Sequence, residues 1–131
     1  NLYLGTQNWG GSLIARFNSG QPYTPEITSG TLTGQNIISG LSVNSRRKPH
    51  RFTIDLNAFR SFLIGNFRFE LFTRVYNLLD NKNPIDVFQD TGRPDFSLDE
   101  LQPGEADPTW FVRPDYYSEP RRIQLGARFY L

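Results

Sequence analysis

The stretch that decides the fold is Arg122–Leu131, RIQLGARFYL, in which apolar and polar residues alternate. The odd positions are all apolar: Ile123, Leu125, Ala127, Phe129 and Leu131. The even positions are mostly polar: Arg122, Gln124, Gly126, Arg128 and Tyr130. An alternation with a period of two residues predicts a β-strand with two unlike faces.

Three earlier segments repeat the alternation: Trp9–Asn18, Arg51–Arg60 and Phe67–Tyr76. With the last segment they predict an all-β chain of four antiparallel strands. Each segment has about ten residues, which is the length that crosses a bilayer at a tilt of ~45°. A helix is disfavoured because β-branched and aromatic residues are common and no segment has a 3.6-residue apolar stripe.

The predicted connections differ greatly in length. Ser61–Asn66 is short and contains Gly65-Asn66, a hairpin signal, whereas Ser19–His50 and Asn77–Arg121 are long and rich in turn-forming residues. Long loops of this kind count against a compact soluble domain. Outer-membrane barrels instead combine short periplasmic turns with long extracellular loops. The pattern therefore predicts the last four strands of a transmembrane β-barrel, with two long extracellular loops and a periplasmic end.

Four strands cannot close a barrel, because the smallest single-chain barrels have about eight. We therefore expect residues 1–131 to be the C-terminal part of an outer-membrane barrel, with the other strands upstream. The absence of Met and of a signal peptide in Asn1–Gly11 agrees with a processed chain or a fragment.

Composition narrows the function classes. The formal net charge of +1 is too small to attract nucleic acid through the overall charge of the protein. The absence of Cys excludes disulfides and Cys-based metal sites. No apolar run reaches the ~18 residues of a membrane helix. The mean hydropathy of −0.49 is typical of soluble proteins, but strands with one polar face dilute their apolar residues in the same way.

The end of the chain resembles the C-terminal assembly signal of outer-membrane barrel proteins. The positions that match are Gln124, Gly126, Phe129 and Leu131. In that signal a polar residue is followed by Gly two positions later and then by two hydrophobic residues spaced by one. Leu131 departs from the family, which usually ends in Phe. The resemblance implies recognition by the barrel-assembly machinery.

Three longer stretches resemble the last strands of TonB-dependent transporters that carry a carboxypeptidase-regulatory-like N-terminal domain. They are Asn18–Pro25 (NSGQPYTP), Val75–Asp80 (VYNLLD) with Asn83-Pro84, and Asp115–Arg122 (DYYSEPRR). The resemblance implies a plugged barrel of about 22 strands in the bacterial outer membrane, importing a scarce nutrient such as a siderophore or a carbohydrate. It also implies contact with lipid and lipopolysaccharide, with upstream strands and a plug domain, and with an inner-membrane energy-coupling protein through a part outside this chain.

Two other functions remain open from the residues. A porin or adhesin barrel would share the strands and the terminal signal but would lack an upstream plug. A soluble, secreted β-sandwich that binds a ligand would be closed within these residues. Solubility without detergent would favour the sandwich.

No enzyme is expected, because His50 is the only histidine and would need a partner such as Ser45 or Asp55 to act as a base. The candidate substrate-binding residues are Trp110, Tyr116 and Tyr117, which with Phe111 place aromatic rings in an outer loop. They could stack on a sugar or an aromatic chelate, pack against other loops, or lie at the headgroup level.

Each charged segment can be interpreted either as a solvated or structural part of the chain or as a binding site. Arg46–Arg51 is best explained as a solvated loop end or a contact with anionic headgroups, rather than a nucleic-acid site. Asp95–Val112 is acidic, so calcium is conceivable, but the spacing fits no EF-hand, and we predict neither a metal nor a cofactor. Arg68, Glu70 and Arg74 are predicted lumen charges, paired with each other or with the plug.

Overall fold

Seven strands and three 3₁₀ helices make up the part of the chain that the computed structural model describes, residues 1–26, 42–101 and 107–130. The strands are β1 (Leu2–Gly5), β2 (Trp9–Asn18), β3 (Pro22–Tyr23), β4 (Arg46–Arg47), β5 (Arg51–Ile64), β6 (Phe67–Tyr76) and β7 (Arg122–Tyr130). The chain divides into two compact units. The sheet unit comprises Asn1–Phe17, Phe52–Lys82 and Glu119–Leu131, and the loop unit comprises Asn18–Arg51 and Asn83–Ser118.

Five strands form one sheet in the order β1-β2-β5-β6-β7. The pairs β1–β2, β5–β6 and β6–β7 are antiparallel. Each strand of this sheet therefore lies beside the strand of the same sheet that follows it along the chain. This is the up-and-down arrangement. Residues 6–8 join β1 to β2 and residues 65–66 join β5 to β6. The Ser61 backbone N–H, near the end of β5, donates to the Asn8 carbonyl oxygen at 2.7 Å, so both short turns lie at the same end of the sheet. Within the described ranges the sheet is open, with β1 and β7 at its edges.

The predicted all-β, antiparallel fold is confirmed, and β2 and β6 have the predicted bounds. The predicted number of four strands is wrong, because β1 adds a fifth strand to the sheet and β3 and β4 form a second, two-stranded sheet, and all three are too short to show alternation in the sequence. The predicted end of the second long segment at Arg60 is also wrong. Phe62 and Ile64 continue the alternation, so β5 ends at Ile64 and the connection shrinks to Gly65-Asn66, where Gly65 has a φ of +61°.

The loop unit has its own small core. Tyr23 and Val87 are its buried hydrophobic side chains among the described residues, and Asn83 and Ser97 are buried polar ones. β3 pairs with β4, and the 3₁₀ helices are Leu98–Leu101, Pro108–Phe111 and Pro114–Tyr116. The long connections predicted from the sequence therefore contain regular structure. Among the described residues, no helix is long and apolar enough to cross a membrane.

Candidate functional site

The two faces of the sheet unit differ in chemistry, and the register shows which residues share a face. Leu71 lies opposite Arg60 on β5 and Ala127 on β7, while Phe69 lies opposite Phe62 and Phe129. Because directly opposed residues point to the same side, these rows belong to one face, which we call the apolar face. Its other members on β5, β6 and β7 are Phe52, Ile54, Leu56, Ala58, Ile64, Phe67, Thr73, Val75, Ile123 and Leu125.

The apolar face is largely uncovered. Leu125 is 80% exposed and Phe129 is 77% exposed, and of the hydrophobic side chains described in the sheet unit only Val75 is buried. At the turn end of this face the rings of Phe62, Phe69 and Phe129 stack in a row across three strands, with centroids 5.3 and 5.8 Å apart. A contiguous exposed apolar surface of this kind is uncommon on a soluble monomer and indicates an interaction surface.

The opposite face, the polar face, carries the ion pairs of the sheet. Glu70 accepts a 2.7 Å hydrogen bond from the Arg128 guanidinium, and Arg16 forms an ion pair with Asp55. Arg68 donates instead to the carbonyl oxygen of Gln7, at 2.8 Å. Of the two predicted alternatives, pairing of Arg68, Glu70 and Arg74 with one another is wrong, since the partner of Glu70 is Arg128 on β7, and pairing with a plug stays a prediction.

Arg74 contacts an aromatic ring on the polar face. Its guanidinium carbon lies 5.2 Å from the centroid of Phe72, and the guanidinium carbon of Arg128 lies 4.6 Å from the same centroid. Cations over an aromatic ring are attracted by its quadrupole. Phe72 thus holds two guanidinium groups close together, and Arg74 forms no ion pair with any carboxylate in the described part of the chain.

Two glycines of the polar face lie beneath aromatic rings. A Cβ atom at Gly126 would lie 2.4 Å from Cζ of Phe72, its direct partner across the β6–β7 ladder. A Cβ atom at Gly10 would lie 2.5 Å from Cε1 of Phe59. Both glycines therefore leave the space in which a neighbouring aromatic ring lies over the strand, and a Cβ atom would displace that ring.

The predicted assembly-signal residues fall on both faces. Gln124 lies opposite Arg74 and Gly126 lies opposite Phe72, so both belong to the polar face, whereas Phe129 belongs to the apolar face. Leu131 lies outside the described residues. The structure thus gives Gly126 and Phe129 packing partners within the sheet, and their predicted recognition by assembly machinery stays a prediction.

Asn77 explains the Val75–Asp80 motif in structural terms. Its buried side chain donates to the carbonyl oxygens of Asn81 and Glu119 and accepts from the Asn81 backbone N–H. Asp80 accepts a 2.8 Å hydrogen bond from the Arg121 backbone N–H. Asn77 and Asp80 both have positive φ values, which Asn and Asp tolerate better than other side chains. The motif therefore ties the end of β6 to the segment that leads into β7.

The predicted aromatic site is only partly assembled. Tyr116 packs against Phe88, with ring centroids 5.0 Å apart, and the Arg113 guanidinium lies 4.5 Å from the Tyr116 centroid. Tyr117 forms a β-bridge with Pro84. Trp110 is 70% exposed. Tyr116 and Tyr117 therefore contribute to packing in the loop unit, while Trp110 is the one candidate whose ring is mostly accessible.

Charged residues of the loop unit are engaged with one another. Lys48 donates to Asp86 at 2.8 Å, and this hydrogen bond holds the pKa of the Asp86 carboxyl below its usual value. The backbone N–H of Thr109 likewise lowers the pKa of Asp107, which caps the Pro108–Phe111 helix. Part of the basic run is thus bound within the loop unit. His50 is exposed.

Carboxylates in and beside the acidic segment form ion pairs with neighbouring arginines. Arg93 lies beside Asp95 and Arg113 lies beside Asp115, and in each pair the hydrogen bonds from the guanidinium lower the pKa of the carboxyl. In the described ranges, no group of three or more His, Asp or Glu side chains could hold a metal ion. Glu105 of the predicted acidic segment lies outside those ranges.

Comparisons with known proteins leave the family open. No protein-family model matches the chain, and neither a curated protein nor a solved structure matches it. The class that the fold defines is an all-β protein built on an antiparallel, up-and-down sheet with one exposed apolar face and one charged face.

Proposed function

We propose that this chain forms part of the wall of a bacterial outer-membrane barrel, and that the barrel is a transporter of the TonB-dependent type. The observation that carries the proposal is the uncovered apolar face of the sheet. A soluble β-sandwich would bury such a face against a second sheet. In a membrane barrel the same face meets lipid, and the charged face lines the interior.

Strand lengths and connections support the same assignment. β2, β6 and β7 have 10, 10 and 9 residues, and transmembrane strands need about 9–11. β5 has 14 residues, and its last residue, Ile64, pairs with Phe67, the first residue of β6, so β5 extends past β6 at its Arg51 end. Both short turns lie at one end of the sheet, and both long connections leave from strand ends at the other, which is the asymmetry of outer-membrane barrels. On this basis we propose that the short turns are periplasmic and the long connections extracellular.

The transport role rests on the resemblance of Asn18–Pro25, Val75–Asp80 and Asp115–Arg122 to TonB-dependent transporters. The excess of guanidinium groups on the polar face suits a lumen that holds a plug or passes an anionic solute. In cells that make the protein, deletion of its gene should slow growth when one scarce nutrient, such as an iron chelate or an oligosaccharide, is limiting. Unchanged growth under every such limitation would favour a barrel without a transport role.

Membrane insertion is tested by refolding the chain with phosphatidylcholine vesicles, where the open edges of several copies must pair because lipid offers no water to satisfy them, and by washing the pellet with alkaline carbonate. We expect the chain to stay in the pellet with a β-sheet circular dichroism spectrum. Without lipid or detergent, its open edges and apolar face should cause self-association. A soluble monomer that unfolds cooperatively in buffer would overturn the proposal and favour the sandwich.

A further inference from the structure

The apolar face carries one charge within the five strands of the sheet, and that charge is Arg60. Its parity on β5 and its position opposite Leu71 place it in the same row as Ala127. No carboxylate in the described part of the chain forms an ion pair with it, and its side chain is exposed. A guanidinium that faces hydrocarbon is costly, so its position calls for an anionic partner.

The guanidinium of Arg60 leans toward the turn end of the sheet. Its central carbon lies 5.4 Å from the centroid of Phe62, which is two residues closer to the β5–β6 turn. Phe62 belongs to the row of stacked rings with Phe69 and Phe129. Long basic side chains reach in this way from an apolar surface to the headgroup level. The headgroup expected beside Arg60 is therefore that of the leaflet at the turn end.

A shallow groove extends from Arg60 toward the middle of the sheet. It has a volume of about 620 Å³ and is lined on this face by Ala58, Arg60, Leu71, Thr73, Leu125 and Ala127. Three of the lining side chains are short, those of Ala58, Thr73 and Ala127. The longer side chains of Leu71 and Leu125 lie beside them, so the surface is lower between the two leucines. The volume is in the range of ligand pockets, ~300–1,000 Å³.

An apolar groove that has a cation at its turn end fits an amphiphile with one anionic head and an apolar tail. We propose that this surface binds an anionic phospholipid of the phosphatidylglycerol type, with the phosphate on Arg60 and an acyl chain in the groove. The proposal rests on the proposed function, since only a lipid-facing sheet would meet this ligand. The orientation follows from the structure: the head lies toward the turn and the tail toward the middle of the strands.

Trp9 offers a local reporter. It lines a neighbouring groove of the same face together with Leu56 and Ala58, and Ala58 also lines the proposed site. The chain has two tryptophans, so the substitution Trp110→Phe leaves Trp9 as the only one. In that background, quenching of Trp9 by phosphatidylglycerol with brominated acyl chains can be compared with quenching by brominated phosphatidylcholine, each diluted in phosphatidylcholine vesicles.

We expect phosphatidylglycerol to be preferred at the site by about fivefold, the effect of one basic residue beside an anionic headgroup. Arg60→Gln should abolish the preference, so that both lipids bind about equally, and Arg60→Lys should retain most of it. Arg122→Gln is the matched control, because Arg122 lies on the polar face beside Glu119. This control should leave the preference unchanged. Circular dichroism establishes that each variant is folded.

The outcomes separate the two proposals. Equal quenching by both lipids in the parent chain, or a preference that persists in Arg60→Gln, overturns the lipid site and leaves the membrane assignment intact. Quenching of Trp9 by neither lipid overturns both, because the apolar face would then not meet the bilayer. A preference lost in Arg60→Gln and retained in Arg60→Lys supports the site.

Discussion

The Glu70 carboxylate lies directly across the β6–β7 ladder from Arg128, and an oxygen of one is 2.7 Å from a guanidinium nitrogen of the other. Glu70 is only 9% exposed, while Arg128 remains accessible. Ser61 Oγ lies 3.5 Å from the same carboxylate and adds a weak hydrogen bond. The pair joins the last two strands of the sheet on its polar face.

Removal of Arg128 should leave the Glu70 charge partly buried and unpaired. We expect Arg128→Gln to lower the free energy of unfolding by about 1–3 kcal/mol. Arg122→Gln should cost at most about 1 kcal/mol, because its pair with Glu119 is solvent-exposed. Urea unfolding in detergent micelles measures both. If Glu70→Gln and Arg128→Gln prove strictly additive in the double variant, the two side chains are not coupled.

Gly126 should not tolerate a side chain. Because a Cβ atom would overlap the Phe72 ring, Gly126→Ala should cost about 1–3 kcal/mol through overpacking. Gly11→Ala is the control, since its Cβ would meet only Asn57 O at 3.4 Å. Thermal unfolding in micelles compares the two. Equal effects in both variants would show that loss of strand glycine, and not the Phe72 contact, determines the cost.

Leu125→Arg distinguishes a lipid-facing from a water-facing apolar surface. In water, a substitution at a side chain that is 80% exposed should change the free energy of unfolding by at most about 0.5 kcal/mol. In a bilayer, Arg near the midplane should cost about 2–4 kcal/mol. Gln124→Arg, on the neighbouring residue of the polar face, should cost much less. Reversible unfolding from phosphatidylcholine vesicles gives both values, and similar costs at the two positions would contradict the two-faced sheet.

Acid should weaken the loop unit through Asp86. The hydrogen bond from Lys48 lowers the pKa of Asp86 in the folded chain, so its contribution is present above the unfolded pKa of about 3.9. The contribution is lost as the pH falls through the still lower folded pKa. The NMR signals of Val87 should therefore shift with acid, and Asp86→Asn should remove the part of that transition due to this pair. An identical acid profile in Asp86→Asn would show that other carboxyls are responsible.

Alternation in the sequence predicted the bounds of β2 and β6 to the residue. In a strand with one apolar and one polar face, apolar and polar residues must alternate along the sequence. β1 was missed because its four residues, Leu2–Gly5, are too few to establish an alternation of apolar and polar side chains. The extension of β5 was missed because Arg60 lies on the apolar face, where a charged residue looks like the end of a strand. That exception is the residue that the structure places beside the Phe62 ring.

The loop unit was beyond prediction from periodicity. Its structure depends on local hydrogen bonds, such as the Asp107 cap, and on contacts far apart in sequence, such as Lys48 with Asp86. The aromatic candidates were chosen by residue type, and type alone does not tell a packed ring such as Tyr116 from an exposed one such as Trp110. The pairing of Glu70 with Arg128 likewise needed the register.

The most direct test of the central claim, that one face of this sheet meets lipid and the other meets water, is site-directed spin labelling along β7. The chain has no cysteine, so single-cysteine variants at positions 124, 125, 127 and 128 each carry one label. In phosphatidylcholine vesicles, labels at positions 125 and 127 should collide mainly with oxygen, which concentrates in the bilayer. Labels at positions 124 and 128 should collide mainly with a water-soluble nickel chelate. Collision rates that do not alternate between the two parities would contradict the account.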